Sequence, residues 1–214
     1  MEQLVADKEQ YLIDRFGYDF LMEDIGSKYP KTIFFKHLGT ADVGTLIERV
    51  KIIPESLWIS ENEGKPNKYK ALNDTRHIMF RFFNGGNKVF DYDEHPLWDE
   101  WKDVLLPIMG EAAKRLGYKN YRFPRVMFAR LPAGGKILPH TDDASSYYIH
   151  KIHVPLITNP GTTFHIGKEA KHLPVGEIVE VNNKRKHSVE NDGELDRIHF
   201  IFECYNMDDY GKTD

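Results

Sequence analysis

The sequence predicts a mainly β fold of the α+β class, with a double-stranded β-helix (jelly-roll, cupin-like) core and buttressing helices from the N-terminal half. From Tyr121 onward, short apolar segments are separated by Gly, Pro and Asn, a spacing typical of a sandwich or barrel. The stronger helix signals come before that point. We therefore expect the 214 residues to form a single domain, in which residues 1–120 are a helical and β flank and residues 121–205 are the jelly-roll core.

The expected elements follow from hydrophobic periodicity. A helix is predicted over 97–116, because its apolar residues recur at helical spacing and its charged residues occupy the other face. A weaker helix candidate covers 2–25. Strands are predicted at 32–37, 77–83, 123–131, 136–141, 148–157, 162–167, 177–182 and 197–205.

Composition and charge exclude several classes of protein. The net charge is −4, and no block of like charge indicates a nucleic-acid arm or a membrane-surface patch. Cys204 is the only cysteine, so an intrachain disulfide is impossible and a reducing compartment is favoured. No secretory signal opens the sequence, and no apolar run approaches the roughly 20 residues that cross a bilayer. We expect a cytoplasmic protein without nucleic-acid or membrane partners.

A histidine-rich region in the second half carries the sharpest chemical signal. In LPHTDD (138–143), His140 and Asp142 are two positions apart, so an extended backbone points both side chains the same way, whereas Asp143 points oppositely. Two ligands from one strand end need a third from elsewhere. His187, which lies between two predicted strands, is the natural choice. His165 and His172 are alternatives, but we expect them at the surface or around the site.

Two imidazoles and one carboxylate form the facial triad of non-haem Fe(II) oxygenases, which leaves three metal positions open for a cosubstrate and O2. A closed structural zinc site would need four protein ligands, usually including cysteines, and a single cysteine does not provide that set. The predicted core is therefore a metal-binding core, with His140, Asp142 and His187 as catalytic metal ligands.

An iron site of this kind needs an electron-rich cosubstrate, commonly 2-oxoglutarate, whose distal carboxylate requires a buried cation. Arg197 opens the strand RIHFIF, and alternation places it on one face with His199. An inward arginine is costly unless it is paired, and a bidentate carboxylate would satisfy it. The alternative is an ordinary ion pair with Glu194 or Asp196.

Other residues could contact the cosubstrate or the substrate. Lys151 and His153 share a strand face and could contact the metal end of the cosubstrate. Ser146 could donate to a cosubstrate carboxylate, although it also fits a turn. Four arginines could receive a substrate carboxylate, with a surface salt bridge as the alternative for each: Arg76, Arg81, Arg125 and Arg130. Three tryptophans are expected in the core: Trp58, Trp98 and Trp101.

The stretch 130–203 resembles the aspartyl/asparaginyl β-hydroxylase family of 2-oxoglutarate oxygenases, including its proline-hydroxylase-like bacterial branch. The matching segments are ARLPAGGKILPHTDD, HKIHVPLITN, FHIGKEAKHLPVGEIVEVNN, KHSVEN and DRIHFIFE. The resemblance implies iron binding by His140 and His187, and binding of the distal carboxylate by Arg197. It also implies contacts of Lys151 and His153 with the inner end of the cosubstrate. Asp142 makes the sequence similar to the bacterial branch, because the animal enzyme has glycine at this position. At position 151 the sequence has lysine where that enzyme has arginine.

The implied activity is Fe(II)- and 2-oxoglutarate-dependent hydroxylation of an amino acid, free or within a peptide or protein, with release of succinate and CO2. The expected partners are O2 and an amino-acid or peptide substrate. Two alternatives stay open at this point: a cupin-like metal enzyme without 2-oxoglutarate, and a non-catalytic jelly-roll binding module.

Overall fold

The structure is a computed structural model that describes residues 34–66, 68–84, 91–142 and 149–209. Within these ranges the helices are α1 (Gly44–Lys51), α2 (Glu55–Glu63) and α3 (Trp98–Arg115). The strands are β1 (Phe35–Thr40), β2 (Arg76–Phe83), β3 (Tyr92–Glu94), β4 (Tyr121–Arg122), β5 (Val126–Leu131), β6 (Lys136–His140), β7 (Ile149–Ile157), β8 (Thr162–Ile166), β9 (Glu169–Lys171), β10 (Glu177–Val181), β11 (His187–Asn191) and β12 (Arg197–Asn206).

The strands form two antiparallel sheets that face each other. The larger sheet has the order β1-β10-β7-β12-β5-β2-β3, with β4 added beside β12, and the smaller sheet has the order β6-β11-β8-β9. From β5 to β8 the chain alternates between the sheets at every strand, and it does so again from β10 to β12. Apolar side chains from both sheets, including Phe35, Phe164 and Val189, pack between them. This is the predicted double-stranded β-helix, and the fold class is confirmed.

The helices cover the outer face of the larger sheet. Trp101 and Leu105 of α3 belong to one buried cluster with Phe128 of β5 and Phe200 of β12. The rings of Trp101 and Phe128 meet edge to face with centroids 5.1 Å apart. The predicted apolar face of the helix, the buried positions of the three tryptophans and the buttressing role of the N-terminal helices are confirmed.

Alternation along β12 gives this strand two different faces. Phe200, Phe202 and Cys204 join the cluster beneath the helices, whereas Arg197 and His199 point between the sheets, as predicted. The strand is nevertheless buried from Arg197 to Tyr205. Polar side chains on its inner face are therefore held away from solvent, and such groups need partners from within the barrel or from a ligand.

Several elements differ from the predictions. His187 does not lie between strands: it begins β11, a strand stabilised by pairing with β6 on one side and β8 on the other. The short polar sequence HSVEN has little intrinsic strand propensity, so its pattern alone does not predict β11. β1 continues past the predicted end at residue 37 through a register shift beside Gly39, whose φ of 115° favours glycine. The helix candidate at 2–25 and residues 32–33 lie outside the described residues.

The larger sheet takes β1, β2 and β3 from the first half of the chain and its remaining strands from the second half. A single domain with its division near residue 121 stays a prediction. In the described ranges, no helix is long and apolar enough to span a membrane.

Candidate functional site

The three predicted metal ligands come together where β6 ends and β11 begins. His140 and His187 are directly opposite each other in the register of these strands. Asp142 lies just beyond β6, and its backbone N–H donates to the carbonyl of Asn183 at 3.0 Å. Its Oδ1 is 3.7 Å from His140 Nε2 and 3.9 Å from His187 Nε2. The candidate ligand atoms all lie within 4.8 Å of one another and could hold a metal ion.

Both imidazoles are oriented by backbone carbonyls. His140 Nδ1 is 2.8 Å from the oxygen of Leu138, and His187 Nδ1 is 3.0 Å from the oxygen of Arg185. A neutral ring that donates from Nδ1 keeps its lone pair on Nε2, the atom directed at Asp142. Burial lowers the pKa of His140 and lowers that of His187 to about 3. Both rings are therefore neutral, and ready to coordinate a metal, at neutral pH.

The Asp142 carboxylate is held by two neighbours. Lys151 Nζ forms an ion pair with Oδ2, and Asn183 Nδ2 donates to the same oxygen at 3.1 Å. Burial acts to raise the pKa of Asp142, but the Lys151 ammonium and the neighbouring His187 and His140 together outweigh burial, so the pKa lies well below its usual range. The sequence reasoning missed Asn183. It lies in the segment EIVEVNN (177–183), which is part of the family resemblance, but an amide carries no distinguishing sequence signal.

Deeper between the sheets, three polar residues of β7 and β12 are linked. Arg197 Nη2 donates to His199 Nδ1 at 2.8 Å, and His153 Nδ1 lies 3.3 Å from the same atom. Burial, followed by the charge of Arg197, lowers the pKa values of His153 and His199 well below the usual range. The two rings are therefore neutral, and the positive charge here belongs to the arginine.

Arg197 is the most unusual of these side chains. It is only 1% exposed, yet its Nε and Nη1 have no hydrogen-bond partner among the described residues. Burial lowers the pKa of its guanidinium to about 9. The alternative pairing with Asp196 is not formed, because Asp196 instead receives Arg130 at 2.5 Å. A buried donor without an acceptor costs about 1–3 kcal/mol, so this guanidinium has unused capacity for a carboxylate.

His77 of β2 was also missed. It is aligned with Ala129 of β5, which is in turn aligned with His199, so the two histidines share one row across the inner face of the larger sheet. Burial lowers the pKa of His77 to about 3, and its Nδ1 has no partner in the part of the chain that the structure describes. In the sequence, His77 is marked only by its alternation with Met79.

The competing histidines lie elsewhere. His165 alternates with Phe164 and Ile166, which pack between the sheets, so it points away from the metal-ligand group, and its Nε2 is 3.9 Å from Glu190. It is buried, so its expected surface location is wrong. His172 is half-buried, with Nδ1 3.0 Å from the carbonyl of Thr162. Ser146 lies outside the described residues.

Each of the four candidate arginines has a carboxylate partner, as the salt-bridge alternative predicted. The pairs are Arg76 with Glu55, Arg81 with Glu94, Arg125 with Glu203, and Arg130 with both Glu55 and Asp196. These pairs differ in completeness: Arg125 Nε and Glu203 Oε2 have no hydrogen-bond partner within the described ranges.

Comparison with known proteins agrees with this architecture. Residues 106–207 match the family model described as aspartyl/asparaginyl beta-hydroxylase. An oxidoreductase of the 2OG-Fe(II) oxygenase family from Burkholderia pseudomallei superposes with a TM-score of 0.56 at 12% identity, covering 94% of this chain and 89% of that one. AviO1 from Streptomyces viridochromogenes gives a TM-score of 0.51 at 13% identity, covering 80% of this chain and 89% of that one.

At these identities the solved structures establish the fold, and the chain has no significant sequence match among curated proteins. The family model matches nearly half of the chain and includes β5 to β12. The match over residues 106–207 agrees with the predicted resemblance to this family and supports an oxygenase enzyme.

Proposed function

We propose that this protein is an Fe(II)- and 2-oxoglutarate-dependent hydroxylase that acts on an amino acid, free or within a peptide or protein. One observation carries the proposal. Contacts lead from the group of His140, Asp142 and His187 through Lys151, which pairs with Asp142, to the inner face of the larger sheet. On that face His153 and His199 lie beside Arg197, whose guanidinium has unused donors. A dicarboxylate that is bound at one end by a metal and at the other by a cation fits this arrangement.

The donor set supports iron as the metal. Two neutral imidazoles and one carboxylate are the ligands of non-haem Fe(II) oxygenases, and three protein ligands leave coordination positions for a cosubstrate and O2. With 2-oxoglutarate and O2, iron bound there would supply the oxidising chemistry that hydroxylates an unactivated C–H bond, with succinate and CO2 as co-products. His140, Asp142 and His187 would hold the ion, and the carbonyls of Leu138 and Arg185 orient the two imidazoles.

The surroundings of Arg197 support 2-oxoglutarate. The side chain is fully buried and charged, so a distal carboxylate that accepts from Nε and Nη1 would satisfy both orphan donors. His199 accepts a hydrogen bond from Nη2 of Arg197 and thereby fixes the orientation of the guanidinium. The other end of the cosubstrate would reach His153, whose Nε2 has no partner within the described part of the chain, and Lys151 beside Asp142.

The remaining contribution of the chain is electrostatic. Lys151 neutralises Asp142, and with a metal held by Asp142 its ammonium would be available to the inner carboxylate of 2-oxoglutarate. The buried imidazoles stay neutral and do not repel a divalent cation. Burial of His153, Arg197 and His199 keeps water away from the inner part of the site.

Two finer assignments accompany this proposal. We assign the protein to the proline-hydroxylase-like bacterial branch, because Asp142 completes a triad that the two-histidine enzymes lack. We also assign it to the cytoplasm, because its single cysteine suits a reducing compartment and Cys204 is buried.

The test is anaerobic loading with Fe(II), followed by 2-oxoglutarate and then O2 with a panel of amino acids and peptides. We expect one tightly bound iron per chain, a visible charge-transfer absorption on adding 2-oxoglutarate, and succinate formation that requires both. His187→Ala should lose all three, whereas the control His37→Ala, which changes an exposed histidine of β1, should keep them. Iron binding without 2-oxoglutarate dependence would favour the cupin-like enzyme. Absence of both would favour a binding module.

A further inference from the structure

A second pair of charged residues lies on the same inner face, beside the metal end. Glu203 of β12 is aligned with Lys151 of β7 in the strand register, and Lys151 contacts Asp142. Glu203 is 1% exposed, and its Oε1 accepts from Arg125 Nη1 at 2.8 Å. The Arg125–Glu203 pair is therefore one strand away from the residue that contacts the metal-ligand carboxylate.

Arg125 is rigidly placed. Its guanidinium carbon lies 4.7 Å from the ring centre of Phe82 and 4.9 Å from that of Phe83. Such stacking fixes the plane of the guanidinium and leaves its edge available for hydrogen bonds. A cation held in this way is preorganised to bind an anion.

The pair is incomplete. A guanidinium and a carboxylate that serve only each other commonly form two parallel hydrogen bonds, but this pair forms one. Arg125 Nε and Glu203 Oε2 have no partner in the described ranges. By contrast, Arg81 uses both Nε and Nη2 on Glu94. One donor and one acceptor thus remain unused next to the metal end.

The apolar neighbours of the pair define a surface for a side chain. Met79, Met127, Ala129 and Ile201 form a separate buried cluster, against which Phe82 packs. Met127 and Ile201 are aligned with His153 in the row adjacent to the Arg125–Glu203 pair. A small apolar group would contact methionine and isoleucine side chains here, close to the metal end of the site.

We propose that Arg125 and Glu203 bind the α-carboxylate and the α-ammonium group of a free amino acid with an apolar side chain. This inference rests on the proposed function, and it narrows the substrate to free amino acids. A zwitterion presents one anion to Arg125 Nε and one cation to Glu203 Oε2. A residue within a peptide presents neither charge, so it would leave both buried atoms unsatisfied. The methionine-rich cluster would then hold the side chain towards the metal end.

The first experiment uses the unmodified protein. The iron-loaded enzyme with saturating 2-oxoglutarate is given free L-proline, L-leucine, L-isoleucine or L-methionine, or the N-acetyl amide of each. We expect at least one free amino acid to stimulate succinate formation at least about tenfold more than its blocked form. Blocked forms that stimulate equally well would overturn the inference and leave the proposed hydroxylase intact. No succinate from any mixture would overturn both.

The second experiment tests the two residues separately. Glu203→Gln and Arg125→Gln should each raise the KM for the free amino acid by about thirtyfold or more, because each strands one charge of the zwitterion. The control is Arg49→Gln: Arg49 also stacks on an aromatic ring and pairs with a carboxylate, but it does so among the helices, and its KM should equal the parent's. Charge-transfer absorption with 2-oxoglutarate shows whether each variant still assembles the metal site.

If Arg125→Gln fails to fold, Arg125→Lys provides the comparison, because it keeps the charge but loses the planar fork. An unchanged amino-acid KM in Glu203→Gln and in the folded Arg125 variant would overturn the proposal and identify the pair as a structural salt bridge.

Discussion

Arg197 gives the sharpest test, because two explanations of this residue predict opposite changes in stability. In the ligand-free protein, Arg197 is a buried cation with no carboxylate partner among the described residues. Replacing such a charge with an apolar side chain of similar length is commonly neutral or stabilising, by up to about 1–4 kcal/mol. We therefore expect Arg197→Met to keep or raise the free energy of unfolding without 2-oxoglutarate. An arginine that braces the sheet through an ion pair would instead lose about 3–5 kcal/mol.

The same substitution should damage cosubstrate binding. Loss of the cation leaves the distal carboxylate buried and unpaired, which costs about 2–5 kcal/mol. That corresponds to roughly thirtyfold to several-thousandfold weaker binding of 2-oxoglutarate. Arg197→Lys should recover only part of the loss, because an ammonium supplies charge without the two parallel hydrogen bonds of a guanidinium.

Two measurements at equal iron loading check these expectations. The first is 2-oxoglutarate titration of succinate formation in the parent, Arg197→Met and Arg197→Lys. The second is anaerobic urea unfolding with and without 2-oxoglutarate. In the parent, ligand at a hundredfold excess over Kd should add about 2.7 kcal/mol to the free energy of unfolding, and this increment should vanish in Arg197→Met. Arg122→Met, at an exposed arginine of β4, is the control.

One combination of results would refute the reasoning. If Arg197→Met saturates at the parent's 2-oxoglutarate concentration and loses several kcal/mol without ligand, Arg197 is a structural arginine. The cosubstrate assignment would then depend on Lys151, and the cupin-like enzyme would become the better interpretation.

Three further predictions concern the metal, the buried histidines and the core. Asp142→Asn should abolish Fe(II) binding measured by anaerobic titration while far-UV circular dichroism stays unchanged; full iron occupancy would contradict the triad. The pKa of His77 is lowered to about 3 in the folded protein, so between about pH 6.5 and pH 3 only the unfolded chain takes up this proton. The contribution of His77 to the free energy of unfolding is therefore fully present above about pH 6.5 and is lost as the pH falls towards 3. Urea unfolding should show a slope of up to about 1.4 kcal/mol per pH unit from this residue, and His77→Asn should reduce the slope. Trp101→Ala should lower the free energy of unfolding by about 3–5 kcal/mol, because it leaves a cavity between α3 and the larger sheet. If thermal unfolding gives a free energy of unfolding within about 0.5 kcal/mol of the parent's, as for a typical surface substitution, the helix layer adds little stability.

Local sequence patterns determined the fold class and the core of the site. Alternation with period two and frequent Gly, Pro and Asn turns indicate antiparallel strands whatever their partners are. The two-residue spacing places His140 and Asp142 on one side of an extended segment, and the same rule aligns Arg197 with His199. Each of these inferences needs only neighbouring residues, because backbone geometry relates side chains that are close in sequence.

Only the tertiary structure decided which distant residues complete the site. β11 exists because β6 and β8 pair with it, and that pairing brings His187 opposite His140. Asn183 reaches Asp142 from a different connection, and Arg125 meets Glu203 across two strands that are far apart in sequence. Likewise, Asp196 pairs with Arg130 and not with Arg197, which therefore has no carboxylate partner among the described residues. Such contacts follow from strand order and register, and burial gives them their energetic weight, so a linear pattern cannot specify them.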